Sequence, residues 1–351
     1  MRAALAAVVL IASAFGAGPS ARAEEALADG PRRPPAAKEC AGPIPGSLVA
    51  DSDALAYLQV CSQVKPGYPT ALHIVRFEKS RTQHRTYQLR AIRPKLLSID
   101  DERVRWLQVG PDLGYHAGDR VQLIELDLAA GRTVELAAID LPFDGWLMQI
   151  DRGEGCTVVR AERGLRDAAL LVAQGADLTL TEAKNAERVM FWDSPSSGFV
   201  VGVVGAPAAR AIDCRGRAVP VSAAARGVLS APRHRFDRFF SAPEAHAIAI
   251  QPFRDGTKAS LLFARAGKAG VPVYQAEPTL DAVRGLASSA AGDRVAVLGN
   301  SSVDVVAPGG KRRVLDISTI RSSGKQTIFL ERRPVLAVLG NLGVTLFDTE
   351  D

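Results

Sequence analysis

Short apolar runs of 4 to 8 residues, rich in Val, Ile, Leu and Phe, recur along most of the chain. They cover Ala71–Phe77, Val121–Leu126, Thr133–Ile139, Thr157–Arg160, Ala168–Val172, Phe199–Val204, Ala247–Ile250, Ser260–Phe263, Val295–Leu298 and Val335–Leu339. Runs of this length, bounded by Gly, Asn, Asp and Pro, predict β-strands. No long stretch shows the 3.6-residue apolar period of an amphipathic helix, so the pattern predicts an all-β chain.

The runs repeat with a fixed spacing. Ala296-Val297-Leu298-Gly299-Asn300 returns 41 residues later as Ala337-Val338-Leu339-Gly340-Asn341, each followed by a second apolar strand. Gly and Asn tolerate positive φ, which suits a hairpin turn at that point. Ala117-Gly118-Asp119-Arg120-Val121 returns 174 residues later as Ala291-Gly292-Asp293-Arg294-Val295, four units of about 43. Gly-containing hairpins follow Leu126 and Val303, with a variant from Leu261. Ile99-Asp100 before Trp106-Leu107 matches Ile139-Asp140 before Trp146-Leu147, 40 residues on.

A 40 to 45-residue period with about four short strands per unit is the signature of a β-propeller. One four-stranded blade cannot bury both faces, so blades must pack on one another. The expected blades are 46–100, 101–140, 141–181, 182–230, 231–278, 279–316 and 317–351. That makes seven four-stranded blades, with six or eight as the neighbouring counts. The last blade is one strand short, and Ser47–Ala50 or Leu55–Val60 is expected to complete it, which would remove an open edge. The pattern is weakest over residues 205–245.

The chain begins unlike the rest. Arg2 precedes an uncharged run from Ala3 to Ser20, which ends at Ala21-Arg22-Ala23. That order of charge, apolar core and small-x-small site predicts a Sec-type signal peptide over 1–23, cleaved after Ala23. The core is short for a membrane span and is broken by Gly16, Gly18 and Pro19. Arg32-Arg33 follows the core rather than preceding it, so a twin-arginine route is not indicated. Residues 24–45 begin Pro-, Ala- and charge-rich and predict a flexible linker before a propeller domain at 46–351. No later segment resembles a membrane span. The expected location is periplasmic or secreted, and the Ala- and Arg-rich composition suits a GC-rich bacterium.

An oxidising compartment makes Cys40, Cys61, Cys156 and Cys214 disulfide candidates. Four cysteines allow three pairings, and the favoured one joins near neighbours, Cys40–Cys61 and Cys156–Cys214. The net charge of +5 falls to +3 once Arg2 and Arg22 are removed, and the remaining charges are scattered. Nucleic acid binding would call for a concentrated basic stripe, so it is not expected.

The repeats resemble those of the WD40-like and TolB-like propeller superfamily. Arg254-Asp255-Gly256-Thr257-Lys258 is similar to a turn common between blade strands there. The resemblance spans about 46–351 and is one of architecture. Trp192-Asp193 is the only Trp-Asp pair and Gly-His is absent, so no particular family is implied.

No G-x-S-x-G or H-E-x-x-H motif occurs. The five histidines are His73, His84, His116, His234 and His246, and His73, inside an apolar run, is expected to be a packed core residue. Asp51-Ser52-Asp53 lacks the rest of a calcium loop and reads as a turn. Asp100, Asp140, Asp281 and Asp316 near blade junctions read as Asx turns rather than channel ligands. The tryptophans read as packing between blades, so no cofactor is identified.

The one local anomaly is Arg233-His234-Arg235-Phe236-Asp237-Arg238-Phe239-Phe240. Arg233, His234, Arg235 and Arg238 are the candidate contacts for a protein, peptide or glycan partner. A blade strand begun by the phenylalanines, with solvated arginines, explains the same residues. The expected function is a binding or scaffold module. The rival expectation is a propeller hydrolase or lactonase with a metal in the central channel.

Overall fold

The computed structural model describes residues 9–10, 42–60, 70–77, 82–89, 91, 94–110, 118–164, 167–184, 187–193, 196–203, 209–223, 225–226, 235–239, 246–251, 260–264, 271–275, 285–289, 294–307, 311–318, 326–330, 334–341 and 343–349. Nearly all of them lie in antiparallel strands, and the fold is an all-β propeller.

The first four-stranded unit is β2 (Val49–Ala50), β3 (Ala54–Val60), β4 (Thr70–Phe77) and β5 (Thr82–Leu89). The second is β6 (Lys95–Ile99), β7 (Arg103–Val109), β8 (Gly118–Asp127) and the start of β9 (Arg132–Gly153). The end of β9 opens the third unit, followed by β10 (Cys156–Arg163), β11 (Asp167–Gln174) and β12 (Asp177–Glu182). The fourth unit is β13 (Arg188–Asp193), β14 (Gly198–Gly202), β15 (Ala209–Asp213) and β16 (Ala218–Val219). The fifth is β17 (Arg235–Phe239), β18 (His246–Gln251), β19 (Ser260–Ala264) and β20 (Val271–Gln275). The sixth is β21 (Gly285–Ser288), β22 (Val295–Leu298), β23 (Ser302–Val306) and β24 (Arg312–Asp316). The last unit is β25 (Gln326–Phe329), β26 (Val335–Gly340) and β27 (Gly343–Asp348), with β1 (Val9–Leu10) on its outer edge.

The strands read as apolar runs because both faces are covered. In β3, Ala54, Ala56 and Leu58 pack towards the second unit, in a cluster with Leu96, Val104, Trp106 and Leu126. The alternate residues Leu55 and Tyr57 pack towards the last unit, against Leu330, Ala337, Leu339 and Val344. Side chains alternate with period 2 along a strand, so one strand serves two interfaces. The same alternation separates the second-to-third from the third-to-fourth cluster: Val159 and Ala161 lie in one, Cys156 and Val158 in the other. The sixth and last units share a further cluster around Leu298, Val303, Leu336 and Val338. The apolar cores therefore lie between units, which is the packing that makes a repeat obligatory.

Several expectations are corrected here. The strand at 95–99 belongs to the second unit, not to a first unit reaching residue 100. The second and third units are not separate sheets, because β9 runs 22 residues and pairs with β8 and then with β10. Neither candidate N-terminal strand completes the last unit. The Asp51-Ser52-Asp53 turn folds β2 back onto β3 within the first unit, through Val49↔Ala56. The outer edge of β27 is taken by Val9↔Leu346 and Leu10↔Thr345.

The repeats sort by the same test. The 41-residue match aligns β22 and β23 with β26 and β27, the second and third strands of consecutive units. The Gly-containing hairpins join β8 to β9, β19 to β20 and β23 to β24, always the third strand to the fourth. Gly131 (φ 64°) closes the first of these turns in the left-handed region that favours glycine. The 40-residue tryptophan match is not equivalent: Trp106 lies on a second strand, and Trp146 in the shared β9.

Candidate functional site

The first strands of neighbouring units lie side by side. β25 adjoins β21 and β2, β2 adjoins β6, β6 adjoins β9, and β13 adjoins β9 and β17. In a propeller the first strands face the axis, the usual place for a channel.

Long polar side chains on these inner strands reach the backbone of the next unit. Arg152 on β9 donates from Nη2 to Leu96 O (2.9 Å) and from Nε to Leu97 O (3.3 Å), both on β6. Burial pushes its guanidinium down to about 10, with Asp151 opposing, so it stays cationic at neutral pH. Gln149 Nε2 donates to Asp151 Oδ2 (2.6 Å) and to Val189 O on β13 (2.7 Å). β9 is thereby tied to the units on both sides. At the other end of the chain, Gln326 Oε1 accepts from Leu48 N–H (2.8 Å) and its Nε2 donates to Leu48 O (2.9 Å). One amide completes both backbone groups of a buried residue 278 positions away.

The third and fourth units are also joined covalently, by the Cys156–Cys214 disulfide. Beside it, Trp192 packs edge-on to Phe199 at 4.6 Å between centroids. A Cβ on Gly153 of β9 would meet the Trp192 indole at 2.5 Å, so this close approach requires glycine. Asp193, fully buried, accepts from Ser222 N–H and Ser222 Oγ, each at 2.9 Å. The Trp-Asp pair thus splits its work between inter-unit packing and holding the chain after β16. Cys40 and Cys61 lie outside the described residues.

A second polar group sits on the first unit. Tyr57, His73 and Thr86 are cross-strand partners on β3, β4 and β5. Tyr57 stacks on His73 (centroids 4.7 Å, 9° between planes), and His73 stacks on His84 (5.2 Å, 18°). His73 Nδ1 lies 3.1 Å from His84 Nε2 and 3.3 Å from Thr86 Oγ1. Burial first, and then the neighbouring His84, push His73 down to about 3. Burial lowers His84 as well and raises Tyr57 to about 12. His73 is a packed residue, as its apolar run indicated, but it is packed in a stack of rings.

The sequence-predicted candidates are scattered. Arg235 and Arg238 fall in β17, the first strand of the fifth unit, with a register shift between Phe236 and Arg238. Arg233 and His234 lie outside the described residues, as do Asp281 and the 254–258 turn. Asp100 Oδ1 accepts from Glu102 N–H and Arg103 N–H, and Asp316 Oδ1 from Ser318 N–H, both as Asx turns. Asp140 is not in a turn: it is exposed on β9 with Arg120 Nη1 3.8 Å away. Among the described residues no three His, Cys, Asp or Glu side chains are grouped as a metal site, and no helix is long and apolar enough to cross a membrane. Sequence reasoning missed Gln149, Arg152 and Gln326, because an isolated polar residue in a strand carries no signal of what lies across the interface.

No family model and no curated protein matches the chain. Solved propellers do. The β-propeller domain of Cps50 (Swd1) from Myceliophteria thermophila aligns over 89% of this chain and 99% of its own, at 11% identity and TM-score 0.56. Raptor from Chaetomium thermophilum aligns over 88% of this chain but 28% of its own length, at 13% identity and TM-score 0.56. An oligogalacturonate lyase in complex with manganese aligns over 89% of this chain and 91% of its own, at 10% identity and TM-score 0.59. At these identities the likeness is one of fold, that of a β-propeller.

Proposed function

We propose that this chain is an exported propeller of seven blades that acts as a binding module for a protein, peptide or glycan. The observation that carries this reading is the use made of the inner-strand polar groups. Arg152, Gln149 and Gln326 each bond the neighbouring unit's backbone. Groups so engaged hold the ring together rather than pointing reactive atoms at a ligand, which suits a rigid display scaffold.

The Cys156–Cys214 disulfide supports export, since such bonds persist in oxidising compartments. Cleavage after Ala23 would remove β1, whose pairing with β27 covers two residues. The remaining three strands of the last unit keep their apolar contacts with both neighbours.

The partner surface is assigned to Arg233, His234, Arg235 and Arg238, where cations and aromatics alternate at the start of the fifth unit. Tagged protein and an Arg233→Ala/Arg235→Ala/Arg238→Ala variant, each used to pull partners from envelope extract, test it. The wild type should recover a discrete partner that the variant loses. Equal recovery by both would remove these residues from the site.

A further inference from the structure

We propose that His73 and His84 form a two-imidazole site for a divalent late transition-metal cation, copper(II) foremost, on the face of the first unit. The register places the pair on one face of the sheet. His73 lies opposite Thr86 on β5, and His84 is two residues further along that strand. Two facing nitrogens, His73 Nδ1 and His84 Nε2, stand 3.1 Å apart. A cation at the usual metal–imidazole distance of about 2.0–2.1 Å from both would subtend an angle of roughly 100°. That lies between the square-planar and tetrahedral values, so the separation suits one ion once a modest turn of the rings aims both lone pairs at it.

The pair is also preorganised. His73 is held by stacking on Tyr57 and by its nitrogen contact with His84, so little ring freedom is lost on binding. His84 is exposed, which leaves a route for the ion and room for water in the remaining positions. Thr86 Oγ1, 3.3 Å from His73 Nδ1, adds a hydroxyl beside the same edge.

The proton balance closes. In the metal-free pair one nitrogen donates to the other across the 3.1 Å contact. Binding moves that proton to the far nitrogen of its own ring, so both facing lone pairs turn to the metal and no net proton is released. Two imidazole nitrogens as the facing donors favour imidazole-preferring ions over magnesium, calcium or manganese. Copper(II) heads the affinity order for such a donor set. The site stands on the outer strands of the first unit, so it is separate from any ligand held at the axis.

The test is a copper(II) titration of the full chain at neutral pH, followed by calorimetry and electron paramagnetic resonance. One equivalent should bind with a spectrum split by two imidazole nitrogens. His84→Ala, at an exposed position where the fold should survive, should weaken binding by about tenfold or more and remove the two-nitrogen pattern. A His116→Gln/His234→Gln/His246→Gln variant should keep both. Unchanged binding by His84→Ala, a one-nitrogen spectrum in the wild type, or loss of the signal in the triple variant would each overturn the assignment.

Discussion

Two junctions of the propeller do the same job by opposite means. The third and fourth units are tied by a disulfide, by Gln149 and by the close fit of Gly153 under Trp192. The last and first units meet without a covalent bond, through an apolar cluster, the Gln326 amide and the ring stack that begins at Tyr57. The first junction joins residues 58 apart in the chain, and the second joins residues 278 apart. Closing the longer loop costs more entropy, though the cost grows only as the logarithm of length. Among the described residues the cross-link sits at the short loop, and the long one is left to packing. The two junctions should therefore fail under different stresses, reduction for one and acid for the other.

The largest effect is expected at the covalent junction. A loop of 58 residues implies roughly 4 kcal/mol of stabilisation from restricting the unfolded chain. Cys156→Ala/Cys214→Ala should lower the urea midpoint accordingly, with little change in slope. Dithiothreitol should have no further effect attributable to this pair in the variant. A midpoint within experimental error of the wild type would show that packing alone holds this junction.

The closure seam should respond to acid instead. His73 titrates near 3 in the folded chain and near its ordinary 6.5 when unfolded. Between those values the unfolded state binds the extra proton, so stability falls as pH drops through 6.5 and continues falling towards 3. From pH 7 to pH 5 the loss should be about 2 kcal/mol. His84, also lowered, contributes in the same direction. Carboxylates such as Glu187, whose ordinary value is 4.5 and which is lowered further in the fold, destabilise by protonation only below this window. Urea melts at pH 5, 6 and 7 with chelator present check this. His73→Gln should flatten most of the slope, whereas Cys156→Ala/Cys214→Ala should keep it.

The junctions also differ in how far the sequence announced them. The strands were legible because both faces of each blade are buried: Leu55 and Ala56 face different neighbours, so the run stays apolar throughout. The Cys156–Cys214 bond followed from counting cysteines that lie near each other in sequence. The shared β9 was not legible, because Pro142 and Gly145 interrupt the run where the strand in fact continues. Leu141 and Phe143 enter the core between the second and third units there, and their burial outweighs the local turn preference. Gln326 was invisible for a different reason. Its meaning depends on Leu48, and no local pattern relates positions 278 apart. The histidine stack was half legible: His73 announced its burial, but only strand register brings in Tyr57 and His84.

The smallest effect is expected at Gln326, and it isolates the polar part of the closure seam from the apolar part. Its amide completes the N–H and the C=O of Leu48, a residue with no exposed surface. Gln326→Leu keeps most of the side-chain volume but leaves both backbone groups without that partner. An unsatisfied buried polar group costs about 1–3 kcal/mol, less where water can reach it. Gln326 is itself only partly buried, so relaxation towards the channel should hold the loss to about 1 kcal/mol. Gln326→Glu is the sharper probe. Its carboxylate still accepts from Leu48 N–H at neutral pH but faces the carbonyl it can no longer donate to. It should be less stable than Gln326→Leu at pH 7 and regain stability as acid protonates the new carboxyl, opposite in sign to the histidine slope at the same seam. If both variants melt with the wild type, the apolar cluster of Leu48, Leu55, Leu330 and Leu339 closes the ring by itself.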